Sequence, residues 1–232
     1  MRLKSRVSLT DLMKDRHPMK IQKSDSLQIY ILLALAGGGM DAYSYLCRDK
    51  VFANAQTGNM LLFGVSLAEG DFVSALRYFV PVFVFAAGIF LSDNIRKRIT
   101  GERFHWRQLS LIVEMLILAV VAFIPPSANI LANSLTSLAC GMQVESFRTV
   151  RGNAIATTMC IGNLRSGTYN FDKYMETGDK VFAKKSLLYF GIIAAFVIGA
   201  VLESIVIKYF GLQSILFSVA LLIASCLIMI DL

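Results

Sequence analysis

Asp41 is followed eighteen residues later by Asn59, and Glu145 by Asn163 at the same interval, so a carboxylate and a carboxamide recur at an offset of 104 residues. Each Asn closes a polar stretch inside apolar sequence: Asn-Ala-Gln-Thr-Gly-Asn over 54–59, and Thr-Thr-Met-Cys-Ile-Gly-Asn over 157–163. Charged and carboxamide groups are costly in hydrocarbon unless they face a partner or a water-filled cavity. The recurrence is therefore read as a duplicated functional element. The chemistry open to it is recognition: carboxylates bind a cation or relay a proton, and amides and hydroxyls exchange hydrogen bonds with a polar solute. The candidate site residues are Asp41, Asn54, Gln56, Thr57 and Asn59 in the first stretch, and Gln143, Glu145, Thr157, Thr158 and Asn163 in the second. Gly37, Gly38, Gly58, Gly141 and Gly162 are assigned to backbone turns or close packing.

Plainer readings compete. For the carboxylates it is a structural ion pair, with Arg148 or Arg151 as partner in the second half. For the amides it is interhelical hydrogen bonding, at roughly 1 kcal/mol each, although four hydrogen-bonding side chains within six residues suit the lining of a polar path better than one helix contact. Ala34, Gly38 and Ala42 recur every four residues, the small-residue pattern of closely packed membrane helices. Glu114 and Glu203 sit nearer the ends of their apolar segments and are expected to reach the interface.

Other chemistry has little to stand on. Cys47, Cys140, Cys160 and Cys226 are scattered without metal-ligand spacing, and the two histidines, His17 and His105, lie in polar surroundings. No nucleophile and base are arranged for catalysis, so neither an enzyme, a metal nor a cofactor is expected.

The elements that position the polar stretches follow from composition. Of 232 residues 56% are hydrophobic, the mean hydropathy is +0.60, and apolar runs recur from residue 27 almost to the end. That implies an all-α, polytopic helical membrane protein. The net charge of +7 does not imply nucleic acid, because seventeen of the 23 Lys and Arg fall before residue 27, within 92–109, or within 164–187. The positive-inside rule places those three segments in the cytoplasm. An even number of crossings must then separate the N-terminus from the loop near residue 98, yet three apolar segments lie there: 27–46, 51–67 and 72–92. The polar one, 51–67, is read as re-entrant, with helical arms on either side of a Gly58–Asn59 turn near mid-membrane. Spans at 109–125 and 131–150, a second re-entrant segment at 155–166, and spans at 187–207 and 212–230 complete six crossings. Residues 167–186 suit an amphipathic surface helix or a solvated loop.

The resulting organisation is a basic cytoplasmic tail over 1–26, a first membrane repeat over 27–125 and a second over 126–232. Three crossings per half make the halves an inverted 3+3 repeat, with both termini cytoplasmic. The run 27–36 is taken as a retained first helix rather than a cleaved signal peptide.

The run 35–46 (Leu-Ala-Gly-Gly-Gly-Met-Asp-Ala-Tyr-Ser-Tyr-Leu), the run 51–62 with Gly64, and Gly141-Met142-Gln143 with Thr157-Thr158 and Gly162-Asn163-Leu164 resemble the YoaK family of small bacterial membrane proteins. Ile161 departs from the Thr that often precedes Gly-Asn in that family. The resemblance implies six spans and a bacterial inner-membrane setting and names no substrate. Two functions are in play. One is a secondary transporter or channel for a small ion or polar solute; the other is a non-transporting scaffold or assembly partner whose polar residues serve helix packing. The expected partners are the lipid bilayer, the solute and, for either function, further copies of the chain.

Overall fold

Residues 27–47 combine long apolar side chains with Ala and three consecutive glycines, and they form a single helix, α1 (Leu27–Cys47). In the computed structural model, which describes residues 26–98, 106–150 and 152–231, α1 ends where Asp49 and Lys50 take left-handed φ values of 63° and 60°. Side chains rarely adopt that conformation, and two in succession turn the chain back sharply. Residues 51–55 then run without helix to α2 (Gln56–Ala68), which is followed by α3 (Phe72–Arg98), α4 (Trp106–Val121), a 3-10 turn (Pro126–Ala128) and α5 (Asn129–Ser146). A two-residue hairpin pairs β1 (Thr149–Val150) with β2 (Asn153–Ala154), antiparallel, in the register Thr149 with Ala154. After it come α6 (Cys160–Thr177), α7 (Lys180–Phe210), a second 3-10 turn (Gly211–Ile215) and α8 (Leu216–Asp231).

Two helix crossings organise the fold, α1 on α7 and α3 on α5. At the first, a Cβ on Gly38 would lie 1.9 Å from the Phe196 carbonyl oxygen, and one on Gly199 would lie 2.0 Å from that of Leu35. At the second, a Cβ on Gly141 would lie 2.2 Å from the Phe85 oxygen and one on Gly88 would lie 2.3 Å from that of Leu138. Each crossing is thus made by a glycine from both helices, which lets the backbones touch. The half-length helices α2 and α6 pack on α3 and α7, and α4 and α8 meet each other while covering α5 and α1.

Polarity is arranged inside out. Asn59, Gln143, Glu114 and Glu203 are fully buried, while Phe72, Phe83, Phe90 and Leu187 are exposed. Apolar exteriors on this scale fit a lipid environment rather than water. Three helical stretches among the described residues, Leu27–Cys47, Phe72–Arg98 and Lys180–Met229, are long and apolar enough to cross a membrane. The last is α7 and α8 together, turned at Gly211 with φ 54°. The segments expected at 109–125 and 131–150 form helices of 16 and 18 residues. Helix α5 carries buried Asn133, Thr136, Ser137 and Gln143 because protein, not lipid, surrounds it.

Several expectations are corrected. No turn occurs at Gly58–Asn59 or at Gly162–Asn163: these residues lie in the first turns of α2 and α6. The arm leading to each is extended rather than helical. The segment expected to end at 166 continues as helix to Thr177, where Gly178 at φ 69° stops it, so 167–186 is the end of one helix and the start of the next. Glu114 and Glu203 do not reach an interface; both are 0% exposed. The basic leader, the loop at 99–105 and Arg151 lie outside the described residues.

Candidate functional site

The extended arms exist because asparagines stand in for strand partners. Buried backbone N–H and C=O groups must be paired, and in the first arm the Asn59 side chain does this for Phe52. The Phe52 N–H donates to Asn59 Oδ1 at 3.0 Å, and Asn59 Nδ2 donates to the Phe52 carbonyl at 2.7 Å. Asn59 Nδ2 also reaches Gln56 Oε1 at 2.8 Å. In the second arm Asn163 holds Ala156 identically in kind: the Ala156 N–H donates to Oδ1 at 3.3 Å and Nδ2 donates to the Ala156 carbonyl at 2.6 Å. Each Asn clasps the residue seven positions before it.

Both arms converge on Gly37, the central residue of α1. From the first, Asn54 Nδ2 donates to the Gly37 carbonyl at 3.0 Å. From the second, Thr157 and Thr158 press on the same residue, so that a Cβ there would meet Thr158 Cγ2 at 2.9 Å. Gln143 secures the second arm by donating to Thr157 Oγ1 at 2.9 Å and to the Leu33 carbonyl at 3.0 Å, and the Tyr30 hydroxyl donates to the Thr149 carbonyl. Gln56 Nε2 closes the first arm on the Ala53 carbonyl at 2.7 Å.

A cavity of about 680 Å³ opens between the arms. Asp41, Asn54, Gln56 and Thr57 line one side and Thr158, Met159, Cys160 and Gly162 the other, with Tyr45, Phe52, Ile161 and Phe196 as apolar walls. Asp41 Oδ1 accepts the Asn54 backbone N–H at 2.7 Å, and the Ala53 and Ala55 N–H groups are also within its reach. Among the described residues the Thr158 hydroxyl is buried without a hydrogen-bond partner.

Of the ten polar residues singled out by sequence, Asp41, Asn54, Gln56, Thr57 and Thr158 line this cavity together. Asn59, Gln143 and Thr157 are buried in the bonds that shape it. Asn163 borders a separate recess of about 310 Å³ with Arg148 and Gly162. Glu145 is turned away, its carboxylate 3.4 Å from the Arg148 guanidinium. Gly37, Gly38 and Gly141 are close-packing positions, and Gly58 lies under the Phe52 ring.

Arg48 escaped the sequence reading. It is fully buried, and its guanidinium donates to the Tyr43 hydroxyl at 2.7 and 2.9 Å, to Asn129 Oδ1 at 2.9 Å and to the Val121 carbonyl at 3.0 Å. Asn133 Nδ2 donates in turn to the Arg48 carbonyl at 2.7 Å. A basic residue between two apolar runs reads as a loop charge, and nothing local distinguishes it from Lys50 two positions on. Glu114, fully buried, has no hydrogen-bond partner on either oxygen among the described residues. Among the described residues no group of His, Cys, Asp and Glu is placed to hold a metal ion.

No curated protein and no solved structure matches the chain. Residues 29–228 match a family profile, and this stretch contains both arms, the cavity and the whole of every helix from α2 to α7. The chain belongs to the DUF1275 family, a family of proteins of unknown function.

Proposed function

We propose that this protein is a secondary transporter or channel for a small ion or polar solute, not an enzyme, working in a bacterial inner membrane as its YoaK-like motifs imply. The observation that carries the reading is the meeting of two non-helical arms, from opposite halves of the sequence, at the midpoint of α1 around a cavity that holds a carboxylate. Non-helical backbone at membrane depth is tolerated where it is buried in protein or lines a water-filled cavity. Broken helices meeting near the midplane are how many transporters build their sites.

In this reading the chain crosses six times, as α1, α3, α4, α5, α7 and α8, with both termini cytoplasmic. Each extended arm enters to mid-depth, and α2 or α6 returns to the face from which its arm came. The halves form an inverted repeat. The matching pairs of glycine crossings and the matching Asn clasps support it: exchanging α1 with α5, and α3 with α7, maps one set of contacts onto the other. Rocking one half on the other about the glycine crossings would expose the cavity to each face in turn.

Cys160 provides the test, since it is a free thiol lining the cavity. With Cys47, Cys140 and Cys226 replaced by Ala, a membrane-impermeant maleimide added to oriented vesicles should label Cys160 from both faces in separate experiments. A scaffold whose polar groups only pack helices would leave Cys160 closed to water-borne reagent from either side, and that result would reject the transport reading.

A further inference from the structure

Resting on that transport reading, we propose that the cavity binds a zwitterionic amino acid with an apolar side chain, its ammonium on Asp41 and its carboxylate at the first turn of α6 beside Thr158. Both half-helices start at the cavity, at Gln56 and at Cys160, and the first N–H groups of a helix have no partner within it and must find one outside. At the α2 end that requirement is met from within the protein: the Gln56 N–H donates to the Asn54 carbonyl at 2.8 Å and the Gly58 N–H to the Ala55 carbonyl at 2.9 Å, while Asp41 Oδ1 holds the Asn54 N–H just ahead of the helix at 2.7 Å. At the α6 end it is not. The cap residue Met159 makes no side-chain cap bond and the first turn has no acidic residue. Glu145, the acid expected there from its spacing, is paired with Arg148 instead and does not line the cavity.

A second observation marks the same place. Thr158 lines the cavity, is only 2% exposed, and its hydroxyl has no partner among the described residues. A buried hydroxyl left unpaired costs roughly 1–3 kcal/mol, and a ligand oxygen would relieve it. Anionic groups bind readily at such helix starts.

The carboxylate of Asp41 lines the same cavity as the start of α6 and excludes a bare anion as the preferred ligand. A bare cation would satisfy Asp41 and leave α6 and Thr158 unused. A molecule carrying both charges satisfies both ends. Between them the walls are Tyr45 stacked on Phe52 at 5.1 Å, with Met159, Ile161 and Phe196, a lining suited to an aliphatic side chain. At about 680 Å³ the space admits one.

The experiment is equilibrium binding of radiolabelled L-leucine to the full chain in lipid nanodiscs, with competition by 4-methylpentanoate, which lacks the amine, and by isoamylamine, which lacks the carboxylate. L-leucine should bind at least about tenfold more tightly than either analogue. Thr158→Val should weaken L-leucine and leave isoamylamine unchanged, and Asp41→Asn should weaken L-leucine and strengthen 4-methylpentanoate. Equal binding of either analogue to the unaltered protein overturns the two-ended site. Absence of all binding while Cys160 is labelled from both faces overturns the ligand class alone, whereas absence of binding with Cys160 unlabelled overturns the transport reading as well.

Discussion

The two extended arms share a skeleton and differ in chemistry. Asn59 and Asn163 clasp their partners with the same pair of bonds, and the C-cap residues before the arms, Arg48 and Phe147, take nearly the same backbone angles, φ −132° ψ 56° and φ −124° ψ 64°. Yet Arg48 is a buried hub of hydrogen bonds, whereas Phe147 packs edge-on to the Tyr30 ring at 6.0 Å. Asp41 faces the cavity, whereas Glu145 lies against a half-exposed Arg148. Backbone geometry is thus common to both arms while charge has been placed in one of them. The geometry makes the cavity and the asymmetry gives it a polarity from end to end.

The skeleton is most sharply tested at the glycine crossings. Gly199→Ala places a methyl 2.0 Å from the Leu35 oxygen, and Gly141→Ala places one 2.2 Å from the Phe85 oxygen, both against backbone that cannot move aside cheaply. Each should lower stability in mixed micelles by about 3 kcal/mol. Gly191→Ala, with open space around it, should leave the denaturation midpoint where it is. If one crossing tolerates the methyl and the other does not, the structural equivalence of the two halves is lost.

The Asn clasps come next. Asn59→Ala strands the partly buried Phe52 N–H and carbonyl and removes the buried bond to Gln56, a loss of about 3 kcal/mol. Asn163→Ala strands only the two Ala156 groups, one of them held at 3.3 Å, and should cost about 2 kcal/mol. Hydrogen exchange of the Phe52 and Ala156 amides would show whether each arm loosens locally. Protection unchanged in both variants would mean that the clasps do not hold the arms.

Much of this was legible in the sequence, and the errors have two causes. The apolar runs located α1, α3 and α7 and the approximate places of α4, α5 and α8, and the polar stretches marked both arms. What sequence spacing hid was the register. The clasps obey the 104-residue offset, but the crossings do not: Gly141 does the work of Gly38, and Leu138 that of Leu35. Gly38 lies ten residues before its helix cap and Gly141 only six, a difference of about one turn. The hairpin at 149–154 then restores the missing length. These two changes nearly cancel in the count, so aligning Asp41 with Glu145 by number paired residues that do not occupy equivalent places. Whether an arm is helical or extended was also invisible, because that depends on a side chain seven residues away bonding the backbone.

The carboxylates sharpen the comparison on the side of function. Asp41→Asn keeps an oxygen to accept the Asn54 N–H, so the fold should change by less than about 1 kcal/mol, while uptake of L-leucine into proteoliposomes should fall about tenfold. Glu145→Gln removes a partly exposed ion pair and should alter stability by no more than about 0.5 kcal/mol, with uptake intact. Equal losses of uptake in the two variants would restore the symmetric pair of carboxylates that the spacing suggests.

The smallest effects lie where each half-helix hands over to its long neighbour, at Asp71 and Asp179. Asp71 Oδ1 accepts the Ser74 N–H at 3.0 Å and begins α3, and Asp179 Oδ1 accepts the Val181 N–H at 2.8 Å and begins α7. Both are N-caps of the usual acidic type. Hydrogen bonds from Ser74 hold the Asp71 carboxyl below its ordinary value. A group whose folded value is depressed contributes fully above its unfolded value and loses that contribution as the pH falls through the lowered one. Acidification from pH 5 toward 3 should therefore fray the first turn of α3, seen as faster exchange of the Ser74 and Ala75 amides. Asp71→Asn, which caps without titrating, should remove the pH dependence and keep the protection. Fraying that persists in Asp71→Asn would place its origin elsewhere than in the cap.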